Sequence, residues 1–419
     1  MKPKILTTLQ TYSTRQFGAD VIAGLIVAMV ALPLSIAIAI ASGADPAKGI
    51  ITAIVGGFLI SLLGGSRVQI GGPTGAFVVV VSGVIAAHGY DGLVLATLLA
   101  GLILLIAGLV RLGNLIRHVP EAVINGFTIG IAIIIATSQL QDFLGLRAAH
   151  VPAEFVGKLQ ALWAARATLD PPSVAVGLLA MALIVAFRRL APRLPGLLVA
   201  VATASALALA FKLPVDTIHS RFGDLPRGLP IPSLPAMSAA RVIELLPSAF
   251  IIAFLAGVES LLSAMVADKM IGSQHRPNAE VLAQGFANLG TALFGGLPAT
   301  GAIARTATNV RAGGKTPVAG LVHALAILLV TLLLGNIVGY LAMPALAALL
   351  MLTAWNMSEP HRWRAYLAAP NDLRLLLLLT LLLTVFANLT IAIGVGVAIG
   401  LILNWRKKAP LREWTTPDR

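Results

Sequence analysis

The sequence predicts an all-α integral membrane protein of fourteen transmembrane segments arranged as two inverted seven-segment repeats. Three observations carry that expectation: too few charges for a polar coat, apolar runs without strand alternation, and a broken-helix motif that occurs twice. Of 419 residues, 58% are hydrophobic and 11% charged, with a mean hydropathy of +0.92. A soluble domain carries about 25% charged residues, so a water-soluble fold of this size would lack a polar surface. Lipid removes that need. Barrel strands alternate over about ten residues, whereas residues 92–110 read GLVLATLLAGLILLIAGLV. The segments are therefore helices. Cysteine is absent, which excludes a disulfide frame, a thiolate nucleophile and Cys-based metal sites. Lys2 and Lys4 precede a polar stretch, so the N-terminus is no cleavable signal and the first apolar run is an uncleaved anchor.

In chain order the apolar segments fall near 20–42, 50–64, 74–88, 92–110, 121–140, 172–188, 195–211, 246–267, 278–294, 302–312, 316–334, 338–355, 372–387 and 389–404. Several are shorter than the roughly 20 residues that cross a ~30 Å hydrocarbon core. The chain divides into a cytoplasmic segment 1–19, a first repeat 20–211, a connector 212–245, a second repeat 246–404 and a cytoplasmic tail 405–419. The connector is marked by Pro214, Pro226, Pro230, Pro232 and Pro235. With the N-terminus inside, twenty-one of the thirty Lys and Arg residues fall on the inner side and eight on the outer. An even number of crossings with both termini cytoplasmic preserves that bias, and the cell inner membrane is the expected location. The net charge of +13 then reads as topology. No aromatic-interleaved basic patch speaks for nucleic acid.

The duplicated motif is Gly71-Gly72-Pro73-Thr74-Gly75-Ala76-Phe77 and Gly295-Gly296-Leu297-Pro298-Ala299-Thr300-Gly301-Ala302-Ile303. The copies open segments 3 and 10. An odd number of segments separates them, so the second is inverted. Paired short, Gly/Pro-interrupted segments are the best sequence pointer to a transporter's binding site. Half-helices whose N-termini meet near the bilayer midplane offer unpaired N–H groups and about half a positive charge each, a site for an anion. Thr74 and Thr300 are expected to add hydroxyl donors, Gly71, Gly72, Gly75, Gly295, Gly296 and Gly301 close backbone approach, and Phe77 an apolar wall, with Ala76 in the same expected site.

Among the Lys, Arg, Asp and Glu residues, one base and one acid stand well inside apolar segments; the other acids, Glu121, Asp142, Glu244, Asp268 and Glu280 among them, sit in loops or near segment ends. Arg305, one turn into segment 10, needs the substrate anion or Glu259 as partner, unless it snorkels to the interface. Glu259 sits near the middle of segment 8, where a carboxylate costs at least ~2.5–3.5 kcal/mol. It is expected to be protonated, paired with Arg305, or bound to a cation. Ser263, at i+4, shares its face and offers an oxygen to Na+. The seven His residues have no metal-ligand spacing, and no metal or other cofactor is expected. Gly394-Val395-Gly396 with Gly400 reads as a packing stripe, Asn388-Leu389-Thr390 as a chance glycosylation match, and Arg406-Lys407-Lys408 as the last inner-side anchor.

The run from Asn278-Ala279-Glu280-Val281-Leu282-Ala283-Gln284-Gly285-Phe286-Ala287-Asn288 through Phe294–Gly301 to Ala304-Arg305-Thr306-Ala307-Thr308-Asn309-Val310-Arg311-Ala312-Gly313-Gly314-Lys315-Thr316-Pro317, together with Gly71–Phe77, closely resembles the SulP (sulfate permease) family of anion transporters. The likeness extends over essentially the whole chain. It implies a core domain of segments 1–4 and 8–11, a gate domain of segments 5–7 and 12–14, and elevator-type alternating access. It places the anion between the starts of segments 3 and 10, next to segments 1 and 8. That nominates Phe77, Ala304, Arg305 and Glu259, the acid linked in prokaryotic relatives to proton or Na+ coupling. Many relatives carry Gln after the proline of segment 1; here Pro33 is followed by Leu34 and Ser35, which puts Ser35 beside the site. Relatives also usually bear a cytoplasmic STAS domain, which this sequence does not include, and dimers are common among them.

The expected function is secondary active transport of a small inorganic or carboxylate anion (sulfate, bicarbonate or dicarboxylate) coupled to H+, with Na+ as second choice. A nucleobase–cation symporter of this architecture favours a second acid on segment 10, where Arg305 stands. An uncoupled channel or exchanger ignores cation gradients. A membrane enzyme needs a dyad or metal cluster that the sequence does not offer.

Overall fold

The computed structural model describes residues 2–116, 121–148, 151–152, 154–191, 195–225, 228–387 and 389–407. Pro226, Asn388 and most of the C-terminal tail, from Lys408 on, lie outside them. Segments 1 and 2 are the helices Thr14–Ala41 and Pro46–Leu63. A 3-10 turn, Gly75–Phe77, runs into the helix Val78–Leu109. That helix breaks at Gly89 (φ 71°, ψ 178°) and so supplies segments 3 and 4. Segments 5, 6 and 7 are Glu121–Leu144, Pro171–Leu190 and Gly196–Ala210. The second half repeats the order with Ala239–Ile271, Pro277–Leu293, Ile303–Arg311, Val318–Val338, Met343–Met357, Asn371–Phe386 and Leu389–Lys407 as segments 8–14. Seven described helices, counting Gly75–Leu109 as one, are long and apolar enough to cross a membrane alone.

Caps move two boundaries. Ser13 and Gln16 form a capping box, so segment 1 starts at Thr14, inside the stretch read as an N-terminal segment. Ser238 accepts from the Arg241 amide, so segment 8 starts at Ala239, inside the stretch read as connector. The connector also holds a short helix, Ile218–Phe222, and Thr217 bridges to Ala342.

Segments 1–4 pack on segments 8–11, and segments 5–7 pack on 12–14. The two groups meet mainly along segment 1, which touches segments 7 and 12. This is the core and gate division. Hydrogen bonds tie the two repeats together at both ends of the core. Lys4 N donates to Gly64 O, Lys4 Nζ to Gln274 O, and Arg276 N to Gly65 O on one face. On the other, Tyr90 OH donates to Gly295 O at 2.8 Å and Lys48 Nζ lies 5.0 Å from the Tyr90 ring centre.

Candidate functional site

The chain segments leading into the two half-helices cross. Gly71–Gly72 (β1) and Thr300–Gly301 (β2) pair antiparallel, with Gly71 opposite Gly301 and Gly72 opposite Thr300. The Ala302 amide donates to Ile70 O at 2.8 Å. Equivalent stretches of two inverted repeats pair in this antiparallel way about a two-fold axis in the membrane plane. Two positions of the crossing demand glycine. Gly72 has φ +146°, and a Cβ there would strike Arg305 Nη1. At Gly301 a Cβ would strike Gln69 Nε2.

Both half-helices start without a side-chain cap. Thr74 precedes segment 3 in extended backbone (φ −125°, ψ 157°) and Ala302 precedes segment 10, and neither side chain accepts from the turn that follows. Segments 1, 2, 6 and 8 are capped by Ser13, Asp45, Asp170 and Ser238, while segments 7, 9, 11, 12 and 13 also start without a side-chain cap. What sets segments 3 and 10 apart is that their uncapped starts follow the paired strands β1 and β2, so both dipoles add positive potential there.

Pro73 and Thr74 join the two ionisable residues. Thr74 Oγ1 donates to Glu259 Oε2 at 2.6 Å, and Glu259 is half-buried. Arg305 is 1% exposed; its Nη2 donates to Pro73 O at 2.8 Å and to Ser35 Oγ at 3.1 Å. Arg305 thus neither snorkels nor pairs with Glu259: the carbonyl and hydroxyl satisfy one nitrogen, and burial holds the rest of the guanidinium inside.

Several expectations change at atomic detail. The Thr300 hydroxyl donates to Ala256 O at 2.8 Å, and the Thr74 hydroxyl is committed to Glu259. Neither proton is free for an anion, because buried hydroxyls take the nearest acceptor. Ser263 is buried and donates to Thr306 Oγ1 at 3.1 Å, turned toward segment 10 instead of Glu259. Gly75, Ala76 and Phe77 are buried, and a Cβ on Gly75 would lie 3.0 Å from Met357 Sδ and 3.3 Å from Ile135 Cδ1. The start of segment 3 therefore backs onto the gate. Ile303 and Ala304 are exposed, which leaves the first turn of segment 10 open.

Sequence reading passed over Glu280 as an acid near a segment end. It is fully buried, and its Oε2 accepts from the Gly65 and Ser66 amides at 2.9 and 3.1 Å. Its Oε1 accepts from Gln69 Nε2 (2.7 Å), Ser260 Oγ (2.9 Å) and Gln284 Nε2 (2.8 Å). Five donors hold one carboxyl, and through it the stretch before β1 is fixed against segments 8 and 9. The signal available was Glu280 and Gln284 at i, i+4, two polar groups on one face of an apolar helix. Glu280→Ala strands the Gly65 and Ser66 amides, at about 1–3 kcal/mol each. A thermal-unfolding midpoint in detergent lowered by about 5 °C or more is expected; an unchanged midpoint would show that the amides find other partners.

Comparison with known proteins bears on the family and the fold. The profile of the sulfate permease family matches residues 17–379. The Bacillus subtilis (strain 168) protein YvdB is 42% identical over 350 residues, covering 83% of this chain and 66% of its own. The bicarbonate transporter BicA of Picosynechococcus sp. is 32% identical over 348 residues, covering 80% and 61%. The chain thus spans less than two thirds of the length of either relative. Among solved structures, the transmembrane domain of a cyanobacterium bicarbonate transporter BicA superposes with a TM-score of 0.80 at 28% identity, covering 93% of this chain and 98% of that one. By the residues that the family profile matches and by its identity to these relatives, the chain belongs to the sulfate permease family.

Proposed function

We propose that this protein is a secondary active transporter of a small inorganic anion, sulfate or bicarbonate in class, driven by H+. The observation that carries the reading is the Pro73–Thr74 dipeptide. One of its residues holds a buried cation and the other holds a carboxyl, at the point where two uncapped helix N-termini converge. An anion at these N-termini meets amide donors, two dipoles and the field of Arg305 across Gly72. Glu259 lies within one hydrogen bond of the same turn, so protonating it removes the negative charge that would repel the anion. The loaded core then carries a compensated charge past the gate, an elevator-type movement along the contacts of segment 1 with segments 7 and 12. Both termini lie on the cytoplasmic side of the cell inner membrane, and the core–gate unit works as a homodimer.

Na+ is the second reading, favoured by the Ser263 hydroxyl one turn from Glu259. The Ser263 hydroxyl is turned to Thr306 on segment 10, and for that reason H+ stands first. Uptake by proteoliposomes across a panel of anions, under separate pH and Na+ gradients, tests the proposal. Accumulation of sulfate or bicarbonate under the pH gradient alone is expected. Flux indifferent to both gradients would make the protein a channel or exchanger.

A further inference from the structure

Behind Arg305 lies a group that the proposed cycle does not use. His323, on segment 11, is fully buried, and neither its Nδ1 nor its Nε2 has a hydrogen-bond partner in the protein. A buried imidazole carries one N–H donor and one acceptor, and such groups are almost always paired with protein or with ordered water. Two more groups in the same region are also without protein partners. Arg305 Nε and Nη1 are one pair, and Ser61 Oγ, 4% exposed on segment 2, is the other.

Glycines bring these groups into one seam. A Cβ on Gly57 would lie 3.7 Å from His323 Cδ2 and 3.1 Å from Gly71 O. The next residue, Gly72, lies against Arg305 Nη1. One turn toward the inner face, Gly320 lies against Ser61 Oγ. Segments 2 and 11 therefore approach closely through glycines on both sides, and along their contact stand three groups with unpaired polar atoms: an imidazole, a hydroxyl and the back of a guanidinium. The charge His323 faces is that of Arg305. From segment 1, Asp20 closes the inner end, accepting from the Lys315 and Thr316 amides, the Thr316 hydroxyl and Tyr12 OH. Segment 2 presents no ionisable side chain here, since Lys48 stands at its opposite end.

We propose that His323 is a positioning residue for Arg305, acting through water held in the seam between segments 2 and 11. Polar walls with several unpaired groups are the setting in which buried water persists, each molecule bonding about three partners. Water there accepts from Arg305 Nε and Nη1 and is itself held by His323 and Ser61. The guanidinium is thereby solvated from behind while Nη2 keeps its bonds to Pro73 and Ser35. Anion affinity depends on how firmly Arg305 is held at Gly72, and so on a side chain that never meets the anion. This inference rests on the reading of Arg305 as the cation of the anion site.

Two measurements on the reconstituted full chain test it. X-ray radiolysis in isotope-labelled water oxidises buried side chains that sit beside bound water. His323 is expected to be labelled despite its burial, and the absence of label would overturn the proposal whatever the transport reading. In uptake assays His323→Leu is expected to raise the anion KM about tenfold with little change in Vmax, the size of losing one hydrogen bond to a charged group. His323→Gln, which keeps a donor and an acceptor, is expected to restore the KM. Equal KM values in wild type, Leu and Gln variants, while Arg305→Lys still weakens binding, would refute the role of His323 and leave the anion site standing. Loss of folded protein in the Leu variant is covered by the Gln variant, whose KM must match wild type for the proposal to hold.

Discussion

Glu259→Gln is expected to abolish accumulation driven by a pH gradient while leaving the fold intact. The amide replaces the carboxyl atom for atom, and its oxygen still accepts from Thr74 Oγ1, so the start of segment 3 stays where it is. What disappears is the ability to change charge. One pH unit is worth about 1.4 kcal/mol per proton, hence roughly a tenfold concentration ratio for one proton per anion at zero membrane potential. Proteoliposomes bearing the variant should therefore level at the external concentration where wild type exceeds it about tenfold per pH unit. Anion–anion exchange, which needs no proton, should survive in the same vesicles. Retained accumulation would remove Glu259 from the coupling step, and lost exchange would place it in anion binding instead.

The features that make these experiments specific differ in how far sequence exposed them. The break before segment 3 is local: Gly71-Gly72-Pro73 cannot continue a helix, and its echo at residues 295–301 pointed to the crossing that the β1–β2 pairing displays. Glu259 and Arg305 stood out because charge inside an apolar run needs a reason. Whom each would meet was not legible. Pro73 O and Ser35 Oγ reach Arg305 from positions more than 230 residues away in sequence, and no periodicity encodes that. The same limit hid Glu280, whose donors come from three separate stretches and whose place near a helix start looked like an exposed end. Thr300 is the opposite case. Its position in the motif suggested a ligand donor, yet a hydroxyl fully buried against segment 8 is spent on the Ala256 carbonyl.

Arg305→Lys is expected to weaken anion binding by at least about tenfold even though the charge is kept. The guanidinium reaches Pro73 O and Ser35 Oγ with one nitrogen while Nη1 lies against Gly72. An ammonium is a compact point charge on a flexible stem and cannot fill both positions. Hydrogen bonds to a charged group contribute about 1.5–3 kcal/mol, so losing one carries a factor of roughly 10–150. The loss should appear in KM for the anion, with exchange and gradient-driven uptake affected together, because the site itself is altered and the coupling acid is not. Arg305→Met goes further: it leaves the Pro73 carbonyl unpaired and removes the cation that lies against Gly72, so transport should cease in both modes. Paired measurement of KM and of thermal unfolding separates the two effects. A Lys variant with wild-type KM would show that the helix dipoles alone hold the anion and that Arg305 merely ties segment 10 to segment 3.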